Sequence, residues 1–239
     1  VGRLGKEAVA AVGVAGNIMF LVFSVSQVLG VGTTTLISHA VGRKDHDRAL
    51  LVFNQSLVLT TLVAAVFLVA GFAAQGFYAN SLSADPVTAA LAMDYLRWFI
   101  PAMALQFGIV AMGSALRGTG NFMPGMVVQA VTVILNIILA PILIFGWFTN
   151  KPLGVAGAAI ATLISIFVAT LWLIHYFIPA KSYLKFMRAD WKPKLSLWGE
   201  LLKIGLPAGA EFGLMSVYLF VVYALSRPFG AAAQAGFGV

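Results

Sequence analysis

At 239 residues the chain is 61% hydrophobic and only 10% charged, with a formal charge of +7 and a mean hydropathy of +0.96. That balance is far from that of a water-soluble domain. The chain has no cysteine, which excludes disulfides and thiolate metal sites. The short alternating strands of a membrane β-barrel are missing too.

Taken in order, the apolar runs read as an all-α polytopic membrane protein, because lipid tolerates spanning backbone only as helices or closed barrels. The first span covers residues 8–41. At about 1.5 Å per residue it outruns a bilayer core of about 30 Å, so it is expected to tilt, protrude or bend at Gly30 and Gly32. Residues 42–47 (GRKDHD) make a tight polar loop. The second span is 48–76, followed by a loop at 78–86 without Lys or Arg. A third span, 87–115, is interrupted by Pro101, and residues 117–121 turn into a fourth at 122–148. After a loop at 149–153 comes the fifth span, 154–178. Residues 181–197 form a basic, aromatic-bearing segment suited to the membrane interface. The sixth span, 200–226, has Pro207 in its first third, and residues 229–239 begin a seventh.

Successive loops alternate sides. Arg43, Lys44, Arg48, Arg117, Lys203 and the basic residues of 181–197 then share one side, against Arg3, Lys6, Lys151 and Arg227 on the other. The positive-inside rule makes the first side cytoplasmic, which explains the basic balance without nucleic acid. It also puts residue 1 outside, so a further span is expected upstream. An internal echo agrees: residues 5–14 align with 230–239, with Gly5/Gly230, Ala8/Ala233, Ala10/Ala235, Gly13/Gly238 and Val14/Val239 identical. Tandem halves of this kind are common in transporters.

Six stretches carry a family resemblance: residues 5–14, 38–47 (SHAVGRKDHD), 115–120 (ALRGTG), 136–146 (NIILAPILIFG), 153–162 (LGVAGAAIAT) and 205–211 (GLPAGAE). In order and spread they resemble the multidrug and toxic compound extrusion (MATE) family of cation-coupled antiporters. The resemblance implies a two-lobed bundle of twelve helices, of which this chain would supply about half. Residues 1–180 would be the N-terminal lobe without its first helix, 181–198 a cytoplasmic interlobe segment, and 199–239 the start of the second lobe. It further implies a monomer in the inner (cytoplasmic) membrane that exports cationic or amphipathic compounds in exchange for protons or sodium ions. No cofactor beyond the coupling ion is implied. Two departures stand out. Archaeal-type members carry an aspartate where this chain has Ala140, and another branch carries its helix-seven glutamate near Met215 rather than at Glu211.

Several polar residues interrupt the apolar runs. Glu211 lies well inside the sixth span, where an ionised carboxylate costs a few kcal/mol, which makes it the candidate coupling acid. It sits among Gly205, Gly209 and Gly213, a small-residue face. Gln129 and Asn136 are two turns apart on one face of the fourth span, where they either line a cavity or bond between helices. Asn17, Ser24 and Gln27 recur at helical spacing on the first span, and Asn54 and Gln55 open the second; all five are candidates for the lobe interior or its cytoplasmic mouth. Asp94 and Arg97 are expected to form a local ion pair or a gate. Pro101, Pro141 and Pro207 are candidate hinges. HExxH, GxSxG and GxxxxGK[ST] are all missing, so an enzyme is not expected and uphill export would draw on an ion gradient. Two alternatives remain: a related carrier of lipid-linked saccharides, and a non-transporting membrane scaffold.

Overall fold

The computed structural model describes residues 2–147, 152–178, 183–229 and 236. Six helices cross it in turn: α1 (Lys6–Gly42), α2 (His46–Leu82), α3 (Pro86–Gly118), α4 (Met123–Phe145), α5 (Gly154–Phe177) and α6 (Leu195–Ser226). All six are long and apolar enough to span a membrane, and their outward faces carry side chains such as Val69 (71% exposed) and Leu214 (72%) that only lipid or protein would cover. The chain is a multi-pass helical membrane protein.

Two helices organise the bundle. α3 packs against α1, α2 and α5, α1 packs against α3 and α6, and α4 leans chiefly on α5. Small residues and hydroxyls set the α1–α3 seam: Thr34 Oγ1 donates to the Ser114 carbonyl at 3.0 Å and Ser38 Oγ to the Gly118 carbonyl at 3.1 Å. Where the hydrophobic effect is weak between helices, close backbone approach and such bonds hold them together. α1 and α6 meet still more closely. A methyl group at Gly205 would run into the Val28 carbonyl, and one at Gly32 into that of Leu201. Ser24 Oγ also donates to the Gly209 carbonyl at 2.8 Å. Gly30 and Gly32 therefore serve as contact points, and α1 continues through both as one helix.

The sequence-based ends need three corrections. α2 runs on to Leu82, so the loop expected at 78–86 shrinks to residues 83–85. Ala79 and Leu82 are buried there and the Tyr78 hydroxyl donates to the Val14 carbonyl at 3.0 Å, which favours a helical backbone. Asp85 then caps α3 by accepting from the Thr88 N–H at 2.8 Å. α4 stops at Phe145, before 148, because Gly146 takes a left-handed φ of 68°. α6 starts at Leu195 rather than 200. The second copy of the internal echo and most of the expected seventh span lie outside the described residues, as does Lys151.

Between α5 and α6, residues 183–194 lie across the end of α2, with a 3₁₀ turn at Arg188–Trp191. Two fully buried amides fix them. Asn54 donates to the Lys185 carbonyl at 3.1 Å and accepts from the Met187 N–H and from Trp191 Nε1. Gln55 donates to the carbonyls of Asp190 and Lys192, and accepts from the Lys194 N–H and from Trp198 Nε1. Arg48 adds an exposed ion pair to Glu200 at 2.8 Å. These amides, expected to line the lobe interior or its cytoplasmic mouth, lie at the basic end of the bundle and bind a distant segment of chain there.

Candidate functional site

Between α1, α3, α4 and α5 lies a cavity of about 310 Å³. Apolar side chains such as Met19, Val22, Phe23 and Met103 form most of its wall. Its polar side comes from Gln106, Gln129, Thr132, Asn136, Thr162 and Ser165. α4 presents Gln129, Thr132 and Asn136 together because residues three and four apart share a helix face. α5 reaches α4 closely through Gly157, where an added methyl would press on the Leu143 carbonyl. That approach brings Asn136 Nδ2 within 3.1 Å of Thr162 Oγ1, to which it donates.

The hydroxyls are spoken for as donors. Thr132 donates to the Val128 carbonyl, Thr162 to that of Ala158, and Ser165 to that of Ala161, at 2.7, 3.1 and 2.8 Å. Their lone pairs remain, as does the amide oxygen of Asn136, whose nitrogen is engaged. Pro141 has no N–H, so the Ile137 carbonyl at the cavity edge lacks its usual helical donor. Gln106 and Gln129 make no side-chain hydrogen bond among the described residues. The lining therefore offers more lone pairs than donors, its free donors being the amide N–H groups of Gln106 and Gln129, and no charged group. Such a wall suits a guest that donates hydrogen bonds or carries diffuse positive charge.

Of the sequence candidates, the structure brings Gln129 and Asn136 together here. Gln106 joins them and was missed, although it is the one amide inside the third apolar run. Asn17 lies elsewhere: buried at 6% exposure, its Nδ2 is unpartnered among the described residues, in a cleft of about 240 Å³ between α1, α2 and α6. Gln27 is half-buried on α1 and lines neither space.

Glu211 is exposed, on the side of α6 turned from the Gly205–Gly209 seam, and has no partner among the described residues. Its neighbour Phe212 lies against Phe23, a cavity-lining residue, with ring centroids 6.2 Å apart. The expected ion pair of Asp94 and Arg97 does not form: both are exposed, and the ion pairs among the described residues are Lys6–Glu7 and Arg48–Glu200. Pro101, Pro141 and Pro207 lie inside α3, α4 and α6, each one helix through its proline. No group of three His, Cys or acidic side chains suited to a metal occurs among the described residues.

The family model described as MatE matches residues 1–142. The chain is 32% identical over 243 residues to a probable multidrug resistance protein, YoeA, of Bacillus subtilis (strain 168), a match covering 100% of this chain and 52% of that protein. To the multidrug export protein MepA of Staphylococcus haemolyticus (strain JCSC1435) it is 30% identical over 233 residues, covering 97% and 50%. Among solved structures, the inward-facing conformation of a multidrug resistance MATE family transporter of the MOP superfamily superposes with a TM-score of 0.91 at 26% identity. That superposition covers 98% of this chain and 53% of the other. The MATE multidrug transporter DinF-BH, solved as a complex, gives 0.87 at 30% identity, covering 97% and 51%. The chain spans about half the length of the curated relatives it matches.

Proposed function

Because the chain belongs to the MATE family, whose model spans residues 1–142, we propose that it serves a secondary active exporter of cationic or amphipathic organic compounds. The names of the relatives, multidrug export proteins, support the substrate class. The observation that carries the reading is the acceptor-rich wall around Asn136 and Thr162, set inside an otherwise apolar membrane bundle. Apolar walls offer area to rings, and uncharged oxygens stabilise a positive guest without the desolvation penalty of a buried carboxylate. That lining has no cation, which disfavours a carrier of phosphate-linked saccharides.

Export against a gradient would be driven by exchange with protons or sodium ions. Glu211 is our coupling acid: it is the one acid within the apolar stretch of α6, where a permanent charge is costly. Guest and ion would each favour a different orientation of the lobes, so that each displaces the other. The basic segment 183–194 would face the cytoplasm, and our reading is a protein of the cytoplasmic membrane.

Binding of a fluorescent organic cation to the detergent-solubilised full-length protein, followed by anisotropy, tests the cavity. Asn136→Leu is expected to weaken binding about tenfold, the cost of one acceptor lost against a buried donor. An unchanged affinity would overturn the placement of the guest.

A further inference from the structure

α2 and α5 each pack on α3, and between them opens a second, larger groove of about 620 Å³. Its walls are apolar, with Leu57 and Ala64 from α2 and Leu105 and Met112 from α3, while Arg188 and Trp191 stand at one end. Thr60 also lines it, and its buried hydroxyl has no partner among the described residues. The groove occupies one half of the membrane: α3 ends at Gly118 and α5 at Phe177 on the side of Arg188, the side that collects the basic residues. By the positive-inside rule this is the cytoplasmic half.

The groove's mouth is both fixed and charged. Asn54 and Gln55 hold residues 185–194 in place, and Trp191 Nε1 donates to Asn54 Oδ1 at 3.2 Å. The segment carries Lys185, Arg188, Lys192 and Lys194 against the single acid Asp190. Arg188 is exposed and makes no ion pair among the described residues. An apolar shaft at acyl-chain depth, topped by an unpaired guanidinium and an indole at headgroup depth, matches one kind of molecule. We propose that this groove binds a single phospholipid of the cytoplasmic leaflet with an anionic headgroup. The phosphate would sit on Arg188, the glycerol region against Trp191, and one acyl chain between α2, α3 and α5. The site is separate from the Asn136 cavity and does not depend on what that cavity carries.

Native mass spectrometry of the delipidated full-length protein tests it, titrating phosphatidylglycerol and phosphatidylcholine of identical chains. The expected result is one retained phosphatidylglycerol per protein, at an affinity about fivefold or more above phosphatidylcholine. Arg188→Gln should erase that preference. Gly108→Leu should lower retention of both lipids, since a side chain at Gly108 meets open space inside the groove. Equal retention of the two lipids by the wild type would overturn the proposal. So would a preference that survives Arg188→Gln, or retention untouched by Gly108→Leu.

Discussion

Replacing Gln55 with Leu should free the segment between α5 and α6. Gln55 is fully buried and uses its whole hydrogen-bonding capacity on that segment, through two donors to the carbonyls of Asp190 and Lys192 and two acceptor contacts from Lys194 N–H and Trp198 Nε1. Leucine fills a similar volume and makes none of these bonds. Each is worth about 1 kcal/mol net, so four set an upper bound of about 4 kcal/mol. Water re-solvates part of this exposed segment, which leaves about 2 kcal/mol. If proteolysis follows the population of the open form, that is about a 30-fold faster cleavage. Trypsin reads it directly at Lys185 and Arg188, in full-length protein in detergent. Gln129→Leu is the control, since Gln129 makes no side-chain hydrogen bond among the described residues. A rise of less than about threefold in Gln55→Leu, or an equal rise in the control, would refute the clamp.

Other expectations follow from the same geometry. Gly205→Ala drives a methyl into the Val28 carbonyl and should destabilise the α1–α6 pair by about 1–3 kcal/mol in a thermal melt. Gly108→Ala, with open space around its Cβ, should be neutral or slightly stabilising. Asp85→Ala should remove about 1 kcal/mol of capping at pH 7. The Thr88 backbone N–H, helped by the Thr88 hydroxyl, holds the Asp85 carboxyl below the usual range. Its contribution is therefore complete above the unfolded carboxylate pKa and lost as pH falls through the lowered folded value, so the wild-type and Asp85→Ala melting curves should converge on acidification. Glu211→Gln should abolish ion-driven transport while leaving cation binding to the Asn136 cavity intact; gradient-driven transport by that variant would remove Glu211 from the coupling step.

Fold class and helix number were legible because lipid forces them: apolar runs this long have few structural options. The α2 end was not, since residues 79–85 (ANSLSAD) read as a turn until Tyr78 finds Val14 and Asp85 finds Thr88. Gln129 and Asn136 could be placed on one face from their spacing alone. Gln106 obeys the same geometry on α3, but a lone amide offers no spacing to read. Asn54 and Gln55 show the limit of spacing arguments, because their partners lie more than 130 residues away. Glu211 is instructive in another way. Gly205 and Gly209 mark a seam, and a residue two positions on from Gly209 must face away from it; only the packing revealed that the seam belongs to α1.

The most direct measurement is transport itself. Full-length protein in proteoliposomes should move a fluorescent organic cation when a proton or sodium gradient is imposed, and Asn136→Leu should slow that movement about tenfold at low substrate. Wild-type protein that binds no cation and moves none under either gradient would contradict the exporter reading.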